Sequence, residues 1–143
     1  MIDEARKLVD KYFKAKEEGS FELISKCFWQ NDNLIYIGSD KGELWKGWDT
    51  ISKYLKAQTI TFESFKAKRK KIFEKEIEKE KTYLFVEENE VTITLKGKQK
   101  TDVFIISLIL EKIDNEFKIT FLHRSLPSKE PSFPYSIPSV RFT

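Results

Sequence analysis

The chain carries one cysteine, one histidine and one methionine among 143 residues, and each scarcity closes off a class of chemistry. A lone Cys27 cannot form an internal disulfide, which points to a reducing compartment or to its use as a small buried hydrophobe. One histidine and one cysteine cannot assemble a usual zinc set, so no metal is expected. Glycine occurs five times, and the segment GSDKGELWKG spaces its glycines in neither a phosphate-loop nor a dinucleotide pattern, so no cofactor is expected. Long apolar runs are missing too. The aliphatic stretch at residues 103–110 is far short of a membrane span and contains Ser107, while the opening MIDEARKLVDKYF is charged throughout and has no apolar core of the secretory kind. The expectation is a cytoplasmic protein with no membrane partner.

Aromatic residues are abundant. Twelve Phe, five Tyr and three Trp in a chain that is 40% hydrophobic supply a core and the wall of a cavity. At this length one domain should bury roughly 70% of the surface that its unfolded chain exposes. The formal net charge is +3, although 34% of residues are charged. A basic run at Lys66, Lys68, Arg69, Lys70 and Lys71 is followed at once by Glu74, Glu76, Glu78 and Glu80, so the acids offset the bases along one element. A solvated sheet margin is the better reading, and no nucleic-acid partner is expected.

Helical periodicity comes first in the chain. Ala5, Leu8, Val9, Tyr12 and Phe13 predict an amphipathic helix over residues 3–18 that Gly19 ends, and Ser20 caps a short second helix with Phe21, Ile24, Cys27 and Phe28 on one face. Asn31, Asp32 and Asn33 break it, and residues 34–37 continue as a strand. Gly38 to Gly42 turns the chain, residues 43–45 form a brief extended piece, and Gly47 with Asp49 opens a third helix. Alternation then predicts strands: Tyr83, Phe85, Val91, Ile93 and Leu95 share a face, and residues 101–113, apolar on both faces, read as a central strand. The last strand puts Phe117, Ile119, Phe121 and His123 on one face and Lys118, Thr120, Leu122 and Arg124 on the other. Residues 65–81 favour helix by their Lys and Glu content, yet Phe65, Ile72, Phe73 and Ile77 follow neither period. Four prolines, Pro127, Pro131, Pro134 and Pro138, place the domain at residues 1–126 and leave 127–143 as a tail, expected to lie ordered against the body or a partner through Phe133, Tyr135, Ile137 and Phe142.

Tyr36-Ile37-Gly38, Glu43 four residues before Gly47 with Ile51 following, and Ile119 running into His123-Arg124-Ser125-Leu126-Pro127 together resemble a SnoaL-like domain of the nuclear transport factor 2-like superfamily. The resemblance implies an α+β fold, a cone-shaped curved antiparallel sheet covered by three N-terminal helices, with residues 65–81 forming a long strand and a hairpin near residues 78–81. It also implies an apolar pocket on the concave face and a homodimer through the outer face, where Thr120 and Leu122 would meet a partner with Arg124 at the rim. Members include isomerases, cyclases, dehydratases and binding domains, so the fold alone names no reaction.

The expected pocket comprises Tyr36, Trp45, Trp48, Phe85, Phe104, Ile106, Phe121, His123 and Ser125, open to a small apolar or aromatic ligand. His123 is the candidate acid–base group, because an imidazole titrates near neutral pH. A core histidine hydrogen-bonded to a neighbouring element is the commoner use of such a residue, and no carboxylate stands beside it in sequence. Ser125 points the same way but lacks a nucleophile elbow. Superfamily isomerases place a carboxylate on the strand after the second helix, and Leu34-Ile35-Tyr36-Ile37 contains none. Three readings follow: a small-molecule-binding protein, an acid–base enzyme using His123, and a protein-association module.

Overall fold

The computed structural model describes residues 2–127; the expected docking of the tail falls on residues 128–143, outside the described part. Three helices, α1 (Ile2–Glu18), α2 (Phe21–Lys26) and α3 (Trp48–Thr61), pack on one six-stranded sheet. Its strands are β1 (Ile35–Ile37), β2 (Leu44–Lys46), β3 (Ser64–Glu78), β4 (Thr82–Leu95), β5 (Lys98–Ile113) and β6 (Glu116–Ser125), in the spatial order β2-β1-β6-β5-β4-β3. All neighbours are antiparallel except β1 and β6, which run parallel. This is the α+β curved sheet that the sequence led us to expect.

Local chemistry sets the helix ends. Gly19 takes a φ of +66° after α1, which L side chains rarely adopt, and the Ser20 hydroxyl accepts the Leu23 N–H at 3.2 Å to start α2. Gly47, at φ +93°, precedes α3, and Asp49 lies in that helix's first turn. The buried stripe of α1, with Val9, Tyr12 and Phe13, joins Ile24 and Phe28 against Phe85, Leu108, Leu110, Ile119 and Leu122 from the sheet. These form one contiguous core.

The disputed segment is a strand. β3 pairs with β4 over its length, and two bulges explain why its apolar residues keep no period. Arg69 faces Asn89 while Lys71 faces Glu88, so Lys70 is an extra residue; between Glu76 and Glu78 the extra residue is Ile77. A bulge at Lys70 lets Phe65 and Ile72, seven apart and of opposite parity, share the concave face. Arg69, on the concave face with Phe65 by plain alternation, also departs from the predicted solvated margin: the guanidinium grips the fully buried Glu87 carboxylate with two bonds of 2.7 Å, and it pairs with Asp10 on α1.

A third bulge corrects the last strand. Ile109 pairs with Phe121 but Leu110 pairs with Ile119, which leaves Thr120 unpaired in β6. One extra residue reverses the alternation beyond it. Phe117 and Ile119 face the core, and so do Leu122 and Arg124, whereas Phe121, His123 and Ser125 turn to the convex face beside Ile109, Ser107 and Ile105. Leu122, fully buried, and Arg124 are therefore not the outer-face residues expected above.

Candidate ligand pocket

A cavity of about 400 Å³ lies between α1, α3 and the concave sheet. Tyr12 and Phe13 from α1, Phe65 from β3, Val91 and Ile93 from β4 and Phe104 and Ile106 from β5 give it an apolar wall. Ser39, Asp40 and Glu43, from the loop between β1 and β2, stand at one side. That loop is fixed by close approach. The Gly38 N–H donates to the Glu43 carbonyl at 2.7 Å, the Glu43 carboxylate accepts the Asp40 N–H at 2.9 Å, and a Cβ on Gly38 would collide with the Glu43 side chain. Glu43 thus anchors its own loop. An open groove along the end of the β4–β5 hairpin shares Val91, Ile93, Lys100, Asp102 and Phe104 with the cavity and continues it outward.

Of the residues expected to line the pocket, Phe104 and Ile106 do so. Tyr36 and Phe85 are on the concave side but buried in the core, so they back the cavity rather than line it. Tyr36 stacks near Trp45 and Tyr54, with centroids at 6.2 and 5.4 Å, and Trp45 lies 4.2 Å from Tyr54; the aromatic wall exists, and Tyr54 is its cavity-facing member. Trp48 packs instead on Phe28, 6.0 Å away. Phe121, His123 and Ser125 are on the convex face because of the Thr120 bulge, and His123 is exposed. The acid–base role expected of it in the pocket is withdrawn.

Of the polar groups that face the cavity, which also include Thr61, Asn89, Lys100 and Asp102, four are joined by a chain of hydrogen bonds: Lys16, Tyr54, Gln58 and Arg124. The Lys16 ammonium donates to Gln58 Oε1 at 3.1 Å, Gln58 Nε2 donates to the Tyr54 hydroxyl at 3.1 Å, and Arg124 Nη2 donates to the same hydroxyl at 3.4 Å. Lys16 is 7% exposed, and its ammonium sits 4.7 Å from the centroid of the Phe65 ring. Burial, with a smaller contribution from Arg124, pushes its pKa well below the ordinary lysine range. Arg124 lies over the Phe104 ring at 5.6 Å, and its Nε is buried with no hydrogen-bond partner. Among the described residues neither cation is ion-paired with a carboxylate. Burial, with Tyr36 and a hydrogen bond to the Glu43 carboxylate adding to it, raises the Tyr54 pKa, so the phenol keeps its proton while its oxygen accepts from Gln58 and Arg124.

Sequence reasoning missed this cluster, although one signal for it was present. Lys16 stands four residues after Tyr12 and seven after Val9, on the apolar stripe of α1, where a lysine is out of place. Arg124 was hidden by the bulge. Cys27 lies elsewhere, fully buried in the core with its thiol pKa raised by burial. Among the described residues no group of three or more His, Cys, Asp or Glu side chains is placed to hold a metal.

The comparisons now decide the family. A family profile described as the SnoaL-like domain matches residues 5–129. The chain belongs to that family. Its fold is similar to that of a nuclear transport factor 2-like superfamily protein from Salmonella enterica, at TM-score 0.79 and 15% identity over 91% of this chain and 93% of the other. A protein of unknown function and NTF2-like fold from Shewanella oneidensis is 24% identical at TM-score 0.68, over 87% of this chain and 98% of the other. One with a cystatin-like fold from Caulobacter vibrioides is 19% identical at TM-score 0.75, over 90% of each chain. These likenesses concern the fold. No curated protein matches the sequence. No helix among the described residues is long and apolar enough to cross a membrane.

Proposed function

We propose that this SnoaL-like protein binds a small, largely apolar molecule in the cavity between α1, α3 and the sheet. The observation that carries the reading is a space of about 400 Å³ whose wall is mostly aromatic and aliphatic while a few polar groups converge on it, the usual composition of a ligand site. A filled core would have favoured a module that only associates with other proteins. The test is a protein-observed NMR screen of small aromatic and aliphatic compounds. Shifts clustering at Phe65, Val91, Phe104 and Ile106 support the reading, and shifts scattered over the surface refute it.

The acid–base alternative has lost its residue, since His123 faces outward. The association reading is better served by the convex face, which we propose as a homodimer interface. Ile35 and Ile37 on β1 lie beside Phe121 and His123, and Ile105 and Ile109 follow on β5, leaving an apolar face that helices do not cover. Phe121 replaces Leu122 as its central contact. Phe121→Glu should convert a dimer to a monomer in light scattering at micromolar concentration, whereas a wild-type monomer at that concentration would refute the interface.

A further inference from the structure

The linked polar side chains of the cavity, Lys16, Tyr54, Gln58 and Arg124, bring more donors than acceptors, while Asn89, Asp40, Glu43 and Asp102 supply acceptors elsewhere on its wall. Arg124 brings a fixed cation, Lys16 an amine whose charged form burial disfavours until a counter-charge arrives, and Gln58 Oε1 is already taken by Lys16. Arg124 Nε, in addition, is buried with nothing to donate to. A buried cation without a counter-charge is costly, and a donor buried without an acceptor adds to that cost. An anion that enters offsets both, at the expense of its own desolvation. Asp40, Glu43 and Asp102, the last 3.7 Å from the Lys100 ammonium, also stand around the cavity and repel any bound anion, a dianion about twice as strongly as a monoanion, so a single negative charge is the better match. We propose that the cavity takes a monocarboxylate with an apolar body, its carboxylate held by the Lys16 ammonium and the Arg124 guanidinium, and its body lying against Phe65, Phe104 and Ile106. This rests on the ligand-site reading above and names the ligand class.

The site also takes up a proton. Lys16 faces Tyr12 on its own helix, Tyr54 and Gln58 on α3, Phe65 on β3, Asn89 on β4, Lys100 and Asp102 on β5, Arg124 on β6, and Asp40 and Glu43 across the cavity; Glu17, Glu18 and Glu63 line a separate hollow of about 80 Å³ on its other side. In the empty protein burial and Arg124 disfavour its charged form. A bound carboxylate restores that form, so binding draws in a proton and weakens as pH rises.

The experiment uses three matched pairs: 2-naphthoate and 2-naphthamide, 4-tert-butylbenzoate and its amide, and 3-phenylpropionate and its amide. Affinities come from NMR titration, and proton uptake comes from calorimetry in two buffers of different ionisation enthalpy. Acids should bind about tenfold or more tighter than their amides, as charge-assisted bonds require, and should take up protons where the amides take up none. Lys16→Met and Arg124→Met should each reduce the acid preference about fivefold or more, while Arg124→Lys retains part of it. Acids and amides binding equally would overturn the anion site and leave the cavity reading standing. Failure of all three pairs to bind would overturn both, and acid preference without proton uptake would overturn the assignment to Lys16.

Discussion

Replacing Arg69 with Met should be among the most damaging changes in the domain, and the structure gives its size. Arg69 holds both oxygens of Glu87 at 2.7 Å, and the Glu87 side chain has no exposure to solvent. Losing the guanidinium therefore strands a buried carboxylate, a defect that costs roughly 3–5 kcal/mol in comparable cases. For a 143-residue chain the unfolding entropy is about 0.3 kcal/mol/K, so a loss of about 3 kcal/mol lowers Tm by about 10 °C. The reverse change should be milder. After Glu87→Gln the guanidinium keeps Asp10, stacks 4.8 Å from the Phe13 centroid and reaches water through its 20% exposure, so about 1–2 kcal/mol is expected. The double variant Arg69→Met with Glu87→Leu removes both charges and should recover most of the loss. Urea melts of the four proteins, followed by circular dichroism at one pH, decide the matter. Equal losses for the two single variants, or a double variant as unstable as Arg69→Met, would refute the view that a stranded Glu87 causes the damage.

Lys16→Met should stabilise the ligand-free protein. The folded pKa of Lys16 lies below its unfolded value, so between the two the unfolded chain holds a proton that the folded chain lacks, and stability rises with pH up to about 10.5; thermal melts of the variant should lack that rise, and an unchanged slope would count against a buried Lys16. Gly38→Ala drives a methyl into Glu43 and should cost about 1–3 kcal/mol, with the largest amide shifts at Asp40 and Glu43 rather than in the core. Cys27, buried and with its thiol pKa raised, should react with a thiol reagent only as fast as the domain opens, so labelling that is immediate in the native protein would contradict its placement.

Where the sequence was legible, the determinants are local. Gly19, Ser20 and Gly47 mark helix ends through their own φ angles and hydroxyls, and the stripe Val9, Tyr12, Phe13 reports a helix face without reference to anything distant. On β4, Tyr83, Phe85 and Val91 alternate without interruption, and their burial followed the pattern. Bulges are different, because the extra residue is defined only by the neighbouring strand's register. Nothing in KRKKIF or KITFLHR distinguishes Lys70 or Thr120 from its neighbours, since each strand could pair straight if its partner allowed it.

The bulge at Thr120 has a chemical consequence out of proportion to one residue. Were β6 to pair without it, His123 would enter the concave side, and the cavity would hold an imidazole, a group able to act as acid or base. With it, Arg124 enters instead, and an arginine keeps its charge at any pH the fold survives. The site's capacity is thereby moved from proton transfer toward fixed charge, and what titrates in it is Lys16, held on a different element. Thr120 is itself buried and its hydroxyl lies 3.4 Å from the Ile109 carbonyl, so the bulge is packed into the sheet and does not slide freely. The inward cation is set by sheet register, while its companion is set by helix periodicity. The two meet only in the fold, which is why the helical member could be read from the chain and the strand member could not.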